Sequence, residues 1–305
     1  MDFLSAIKSI AGEECIFCNE MMSDHTTFKV GGPAKYFVVP YRAEDIKKYI
    51  LAAEEYKIPY YVIGNGSNLL VSDKGYDGMI IMLGRDLGNI TVNGDRITAE
   101  AGTSLARLFN TARRHSLSGL EFAAGIPGTL GGACYMNAGA YGGEMKDVLT
   151  KVVTIDRQGN THEYKQGEME LSYRNSIFIR KQEIILSAEM KLCKGDVEKM
   201  TRKVNELLEK RKEKQPLEYP SAGSTFKRPE GYFAGRLIEE CGLKGKGVNG
   251  AEVSEKHAGF IINRNNATAR DIYDTINLVI DTVLEKTGIK LEPEVRLLGD
   301  FSGNT

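Results

Sequence analysis

No stretch of this 305-residue chain approaches the roughly 18 uninterrupted apolar residues of a membrane span. Nor does charge of one sign dominate: 40 Lys and Arg against 41 Asp and Glu leave a formal net charge of -1. That balance argues against a nucleic-acid or membrane-surface partner, while leaving room for a local basic pocket that holds a phosphorylated ligand. Cysteine is scarce. Cys15, Cys18, Cys134, Cys193 and Cys241 are an odd and scattered set, the pattern of reduced thiols in the cytoplasm rather than of a disulfide framework. Cys15 and Cys18 form a lone Cys-x-x-Cys with no second pair, so no metal site is expected. Internal repeats and low-complexity tracts are missing too. Residues 1–12 lack the basic start and apolar run of a secretory signal; Phe3, Leu4, Ile7 and Ile10 fall instead at helical spacing.

What is present fits a folded chain of more than one lobe: 42% hydrophobic and 27% charged residues, over a length beyond one ordinary core. Periodicity predicts strands at 27–40, interrupted by Gly31-Gly32-Pro33, and at 58–63. Between them lies a helix over 43–56 with Ile46, Ile50 and Ala53 inward, making a βαβ unit. Short strands at 79–83, 90–92 and 96–100, a helix at 104–115, and strands at 151–155, 161–164 and 184–190 follow. A charged helix over 197–214 turns Val204, Leu207 and Leu208 to its apolar side and stops before Pro216. Beyond it come a helix at 233–241, a strand at 259–263 and a helix over 269–286. That last helix has Thr268 as its N-cap and Ile272, Ile276, Val279, Ile280 and Val283 as its buried stripe.

Three groups of residues could carry chemistry. Gly64-Asn65-Gly66-Ser67-Asn68, entered from Ile63, can present bare backbone N–H groups and short polar side chains to phosphate oxygens. It carries no Gly-Lys-Ser/Thr of a Walker loop and no third glycine of a dinucleotide fingerprint, so a plain strand-to-strand turn stands beside the phosphate cradle. Gly125-Ile126-Pro127-Gly128 through Gly132, continued by Asn137-Ala138-Gly139-Ala140-Tyr141 to Gly143, concentrates glycine at a high entropic cost. Either a series of sharp turns or a flat ligand lying on the main chain accounts for it. Sparse bulky residues favour the ligand. Ser172-Tyr173-Arg174, Ala222-Gly223-Ser224 and Glu292-Pro293-Glu294 are dispersed, and singly each reads as surface.

Taken together and in this order, along with His25-Thr26-Thr27-Phe28, these segments resemble the UDP-N-acetylenolpyruvoylglucosamine reductases nearly end to end. The resemblance implies an α+β fold: a two-sublobe FAD-binding domain of the vanillyl-alcohol-oxidase (PCMH) type plus a smaller C-terminal α+β substrate domain. Its boundaries here would be 1–29 for a lead-in, 30–195 for the FAD domain (sublobes 30–85 and 86–195) and 196–305 for a linker helix and substrate domain. It implies FAD against Ile63–Asn68, Gly125–Gly128 and Asn137–Tyr141, with NADPH as co-substrate. The enolpyruvyl group of UDP-N-acetylglucosamine enolpyruvate would be reduced to UDP-N-acetylmuramate, a peptidoglycan precursor. Arg174 matches the family's catalytic arginine, Ser224 the serine that protonates carbon, and Glu294 a glutamate acting protonated. Tyr173, Lys214, Lys227 and Arg228 are candidates for the substrate's carboxylate or diphosphate. Larger members insert a tyrosine-bearing loop after the Ser-Tyr-Arg segment. Here Phe178-Ile179 and Ile184-Ile185-Leu186 follow too soon, which places the chain in the shorter subclass. A different flavoenzyme of the same fold, such as an oxidase, would keep the glycine loops without joining Arg174, Ser224 and Glu294. A non-catalytic nucleotide-binding protein would have no need of them.

Overall fold

The computed structural model describes residues 2–303. Its chain divides into two compact units, the first made of the chain up to Cys18, Tyr36–Asn65 and Gly78–Lys210. Asn19–Lys35, Gly66–Asp77 and everything from Arg211 on make the second, so compactness does not follow sequence order.

In the first unit, the amphipathic helix Phe3–Ala11 buries Phe3 and Ile7, and Asp2 caps it by accepting from Ser5 N at 2.8 Å. Helix Ala43–Glu55 buries Ile46, Tyr49, Ile50 and Ala53, an i, i+3, i+4, i+7 stripe. The strand Tyr60–Ile63 that follows pairs in parallel with Tyr76–Met82 from Tyr60↔Met79 to Ile63↔Met82. The expected βαβ unit is therefore modified. In the four-stranded sheet, Tyr76–Met82 stands between Pro33–Val38 and Tyr60–Ile63, and residues 27–32 are not strand.

A second sheet is antiparallel throughout, in the order Thr161–Lys165, Leu149–Ile155, Ile184–Lys191, Arg96–Glu100, Ile90–Asn93. Its β-branched and apolar faces join helix Leu105–Arg114 in one core containing Ile97, Leu108, Val152 and Met190. Helix Val197–Lys214 contributes Met200 and Val204 to that core, and its Leu207 is buried as well. Leu208, expected beside them, is 40% exposed. The stripe runs i, i+4, i+7, and one residue further lies about 100° around the helix. The lone Cys-x-x-Cys is split in environment: Cys18 is exposed, while the buried Cys15 thiol donates to Ala11 O and is pushed up in pKa by its desolvation.

The second unit wraps helix Ala269–Thr287 and helix Ala234–Glu240 against a three-stranded antiparallel sheet, Gly247–Val248, Ala251–Val253 and Ile261–Asn263. Ile272, Ile276, Val279 and Val283 are buried as the periodicity requires, whereas Ile280 sits at the stripe's edge, partly buried. Thr268 and Asp271 form a reciprocal capping box at the N-terminus of Ala269–Thr287. A second carboxylate comes from far away in sequence. Asp73 accepts from Ala269 N at 2.9 Å and from Arg270 N at 2.8 Å, satisfying two more orphan donors of the first turn. Just before it, Leu69–Val71 pairs in parallel with Arg296–Leu298.

No helix of the described residues is long and apolar enough to cross a membrane, and no group of three or more His, Cys, Asp and Glu among them could hold a metal ion. Because Asp73 joins a strand pair to a helix start, Asp73→Ala is expected to destabilise the protein by about 1–2 kcal/mol. A lowered urea midpoint with unchanged slope checks it.

Candidate functional site

The first unit brings together the two glycine segments that the sequence singled out, although Asn65 and Pro127 are 62 positions apart. The strand Tyr60–Ile63 delivers Gly64, where a Cβ would lie 2.2 Å from Thr129 Oγ1. Next to it, Asn65 Nδ2 donates to Pro127 O at 3.1 Å. The second loop is in turn strapped to Ala101–Leu105: Leu105 N donates to Gly128 O, Leu130 N to Thr103 O and Gly131 N to Ala101 O, at 3.1, 2.8 and 2.9 Å. Pro127 is exposed and Gly125, Ile126 and Gly128 are half-buried, so the loop's main chain runs along the surface of its unit. Thr129, past the end of the expected cofactor segment, proves to be the residue that Gly64 packs on.

Close packing and sharp turns account for several of these glycines. Internal close approach requires Gly131, Gly139 and Gly143, whose Cβ atoms would fall 2.9 Å from Ala101 Cβ, 2.7 Å from Gly143 O and 2.8 Å from Phe122 Cδ1. Gly142 is different. It has φ +88°, is exposed, and a Cβ there would meet nothing within 4 Å. With Tyr141 at φ +53° it forms the two-residue turn of the hairpin Gly139–Ala140 and Gly143–Glu144, where φ is positive at both central positions. Tyr141 stands at that tip, 47% exposed.

Asn137, expected to touch cofactor, is fully buried with φ +43°. Its Nδ2 donates to Glu144 Oε2 at 2.7 Å and to Ser172 O at 3.0 Å, and its Oδ1 accepts from Lys146 N at 2.9 Å. The side chain is thus used inside the protein, and only the neighbouring main chain is available outside. Ser172 begins the turn that carries Arg174, closed by Ser172 N to Asn175 O and Asn175 N to Ser172 O, both 3.1 Å. Ser176 Oγ, donating to Tyr135 O at 2.7 Å, ties the far side of that turn to the same loop. Arg174 has φ +53°, a conformation uncommon for a long side chain, and its guanidinium lies 5.1 Å over the ring of Tyr173, itself 51% exposed. A five-residue helix, Ile177–Lys181, then leads directly to Ile184–Lys191, leaving no place for an inserted loop.

The second unit takes up the Gly64–Asn68 loop at Gly66. There φ is +58° and a Cβ would lie 2.0 Å from His25 O, so glycine is demanded by the fold itself. Asn68 Nδ2 donates to Glu294 O at 3.1 Å and Asn68 O accepts from Arg296 N at 3.0 Å. Glu294 N donates to Thr225 O at 2.8 Å, the residue after Ser224, so the expected proton donor and the expected glutamate come from paired segments bridged at Phe226↔Pro293. Ser224 is exposed and Glu294 half-buried. The buried Thr225 is fixed twice, its N donating to Gly259 O at 2.8 Å and its Oγ1 accepting from Ile261 N at 3.0 Å.

His257, which the sequence reading passed over, shapes the Gly259 turn. Its Nδ1 accepts from Gly259 N at 3.0 Å, and burial holds the imidazole below its ordinary pKa. Of the expected substrate cations, Lys227 is paired with Glu292, Arg228 stacks 4.6 Å over Phe233, and Lys214 ends its helix exposed.

Two glycine-rich loops, tied together by Asn65 Nδ2 and Pro127 O, offer main chain of the kind that suits a broad phosphorylated cofactor such as FAD. Comparison with known proteins agrees. Residues 34–165 match the FAD binding domain family, and the fold is shared with a glucose dehydrogenase, wild-type Phl p 4.0202, at TM-score 0.51 and 15% identity over 65% of this chain and 45% of that one. The chain is therefore an α+β oxidoreductase built on a PCMH-type FAD-binding domain, with a smaller C-terminal α+β domain. Residues 215–298 match the UDP-N-acetylenolpyruvoylglucosamine reductase, C-terminal domain. A UDP-N-acetylenolpyruvoylglucosamine reductase of Caldanaerobacter subterraneus subsp. tengcongensis is 50% identical over 96% of this chain and 97% of its own. The crystal structure of the enzyme of that name from Thermus caldophilus superposes with TM-score 0.78 at 37% identity, covering 92% of this chain and 97% of that one. The chain belongs to the UDP-N-acetylenolpyruvoylglucosamine reductase family.

The contact between the two loops has a direct test. Gly64→Ala should lower the melting temperature by several degrees because its methyl meets Thr129. Combining it with Thr129→Ala should recover part of that loss, as scanning calorimetry of the pair and both singles will read.

Proposed function

We propose that the protein reduces the enolpyruvyl group of UDP-N-acetylglucosamine enolpyruvate to UDP-N-acetylmuramate, with NADPH as the source of electrons and FAD as their carrier, in cytoplasmic peptidoglycan precursor synthesis. Bound FAD supplies the two-electron chemistry that side chains lack. What the chain must do is hold the cofactor, hold the double bond, and manage the charge and proton at the reacting carbons.

Ile63, Gly64, Asn65, Gly66, Ser67 and Asn68 serve the cofactor's diphosphate through backbone N–H groups. Gly125, Ile126, Pro127 and Gly128 line its ring together with Ala138, Gly139, Ala140 and Tyr141, a segment that the buried Asn137 holds in place from beneath. Arg174 takes the substrate carboxylate with its planar fork, which matches two oxygens as a point ammonium cannot. Glu294 donates a hydrogen bond to the charge that develops beside that carboxylate. Ser224 gives its hydroxyl proton to the carbon left electron-rich; a carbanion or enolate is basic enough to take it from so weak an acid. Tyr173, Lys214, Lys227 and Arg228 bind the substrate's carboxylate or diphosphate. Residues 30–195 act as the FAD domain and 196–305 as linker and substrate domain.

The observation that carries this reading is Arg174, a long cationic side chain kept at φ +53° by a turn closed on both sides and laced to Asn137. Such a conformation persists only where surrounding bonds over-determine it, and it fixes where the side chain starts. The deciding assay is NADPH oxidation with and without the enolpyruvyl substrate. Acceleration by that substrate is expected. Acceleration by oxygen alone would make the protein an oxidase of the same fold, and no turnover in either case would remove the enzyme reading.

Two substitutions refine it. Arg174→Lys should lose roughly 10²–10³-fold in turnover although charge is kept. Ser224→Ala should slow reoxidation by the enolpyruvyl substrate roughly 10²–10⁴-fold and leave flavin reduction by NADPH far less affected. Stopped-flow absorbance resolves the two half-reactions. Equal slowing of both would assign Ser224 to the scaffold.

A further inference from the structure

We infer that Asn68 is a positioning residue for Glu294, and that its side chain serves the reacting glutamate rather than the cofactor. The inference rests on the reading of Glu294 as catalytic. The carboxamide of Asn68 reaches across 226 positions of sequence to donate to Glu294 O at 3.1 Å, and the main-chain oxygen of Asn68 receives Arg296 N at 3.0 Å. Glu294 is thus held from the carbonyl side by Asn68 and from the amide side by Thr225 O, at 2.8 Å. Both holders are themselves fixed. Thr225 is pinned through Gly259 and Ile261. Asn68 is followed at once by the parallel ladder Leu69–Val71 with Arg296–Leu298, and two residues before it Gly66 O accepts from Thr27 N at 3.3 Å.

Pro293 narrows the question further. Its φ is preset, so the rotational freedom left to the Glu294 side chain origin lies in the peptide groups on either side of Glu294. Those are the groups that Thr225 and Asn68 bind. A carboxyl that must meet a developing charge loses effect steeply when displaced by about 1 Å, and one hydrogen bond to its own carbonyl is a sufficient constraint of that kind.

The test is a double-mutant cycle on the reoxidation step, joining Asn68→Ala with Glu294→Ala, with amide hydrogen exchange of the apoprotein as the second readout. Asn68→Ala is expected to slow reoxidation about tenfold in the wild-type background and less than about twofold when Glu294 is already alanine. Exchange at Glu294 and Arg296 should quicken in apo Asn68→Ala. An equal loss in both backgrounds would assign Asn68 to the cofactor loop alone and overturn the positioning role, with Glu294 still catalytic. A harmless Glu294→Ala would instead remove the catalytic reading and the inference together. Asn68→Asp, which keeps size and loses the donor, must repeat the pattern. Should neither variant give a folded holoenzyme, the bond is a determinant of the fold and the positioning role is overturned.

Discussion

A single buried carboxamide, that of Asn137, organises what the first unit can present to a ligand. Removed from water, both of its N–H donors and its oxygen need partners, since each unmade bond of a buried amide costs about 1–3 kcal/mol. It finds them in three places at once: the far strand of the Gly139–Glu144 hairpin, the amide of Lys146, and the carbonyl that begins the Arg174 turn. Moving any one of those segments leaves a buried polar group unpaired. The hairpin tip with Tyr141 and the turn with Arg174 therefore share one geometry, though 35 residues separate Asn137 from Ser172.

The second unit solves an equivalent problem with three ties of its own. Thr225 is buried and bonded through its amide, carbonyl and hydroxyl, which leaves Ser224, one residue earlier, exposed at the end of a rigid segment. Fixing the chain beside Ser224 costs that residue nothing in accessibility. In both units a buried, hydrogen-bonded side chain, Asn137 or Thr225, holds the segment on which a proposed catalytic residue, Arg174 or Ser224, stands.

Much of this was legible in the sequence wherever one physical signal dominated. The buried stripe and N-cap of Ala269–Thr287 could be read from spacing and from Thr268, because amphipathic period and capping act locally. Leu208 and Ile280 went astray for a local reason too: each follows a buried residue by one position, about 100° around the helix, and so falls at the edge of the stripe. Glycine density pointed to bare main chain but could not divide itself between packing and ligand. Gly131 needs Ala101, and Gly66 needs His25, partners that no window of sequence contains. The same limit hid Thr129 behind Gly64, the insertion of Tyr76–Met82 into the expected βαβ pairing, and the roles of Asn137 and Asn68, whose partners are fixed only by the tertiary fold.

The composition of the second unit bears on how the chain is made. Its core includes Phe28, Val30 and Leu70 alongside Ile272, Ile276 and Val295, and its Leu69–Val71 strand pairs with Arg296–Leu298 near the opposite end. Residues 28–71 of a growing chain must therefore wait for residues 272–298. At the usual synthesis rate of about 5–20 residues per second, the interval is on the order of tens of seconds, during which apolar strand Leu69–Val71 lacks its neighbour. A fragment starting at Arg211 would be born without part of its own core. The nascent chain thus offers Leu69–Val71 to chaperones and proteases until Arg296–Leu298 has been made, and the order in which the units mature is written into which pieces of chain each one borrows.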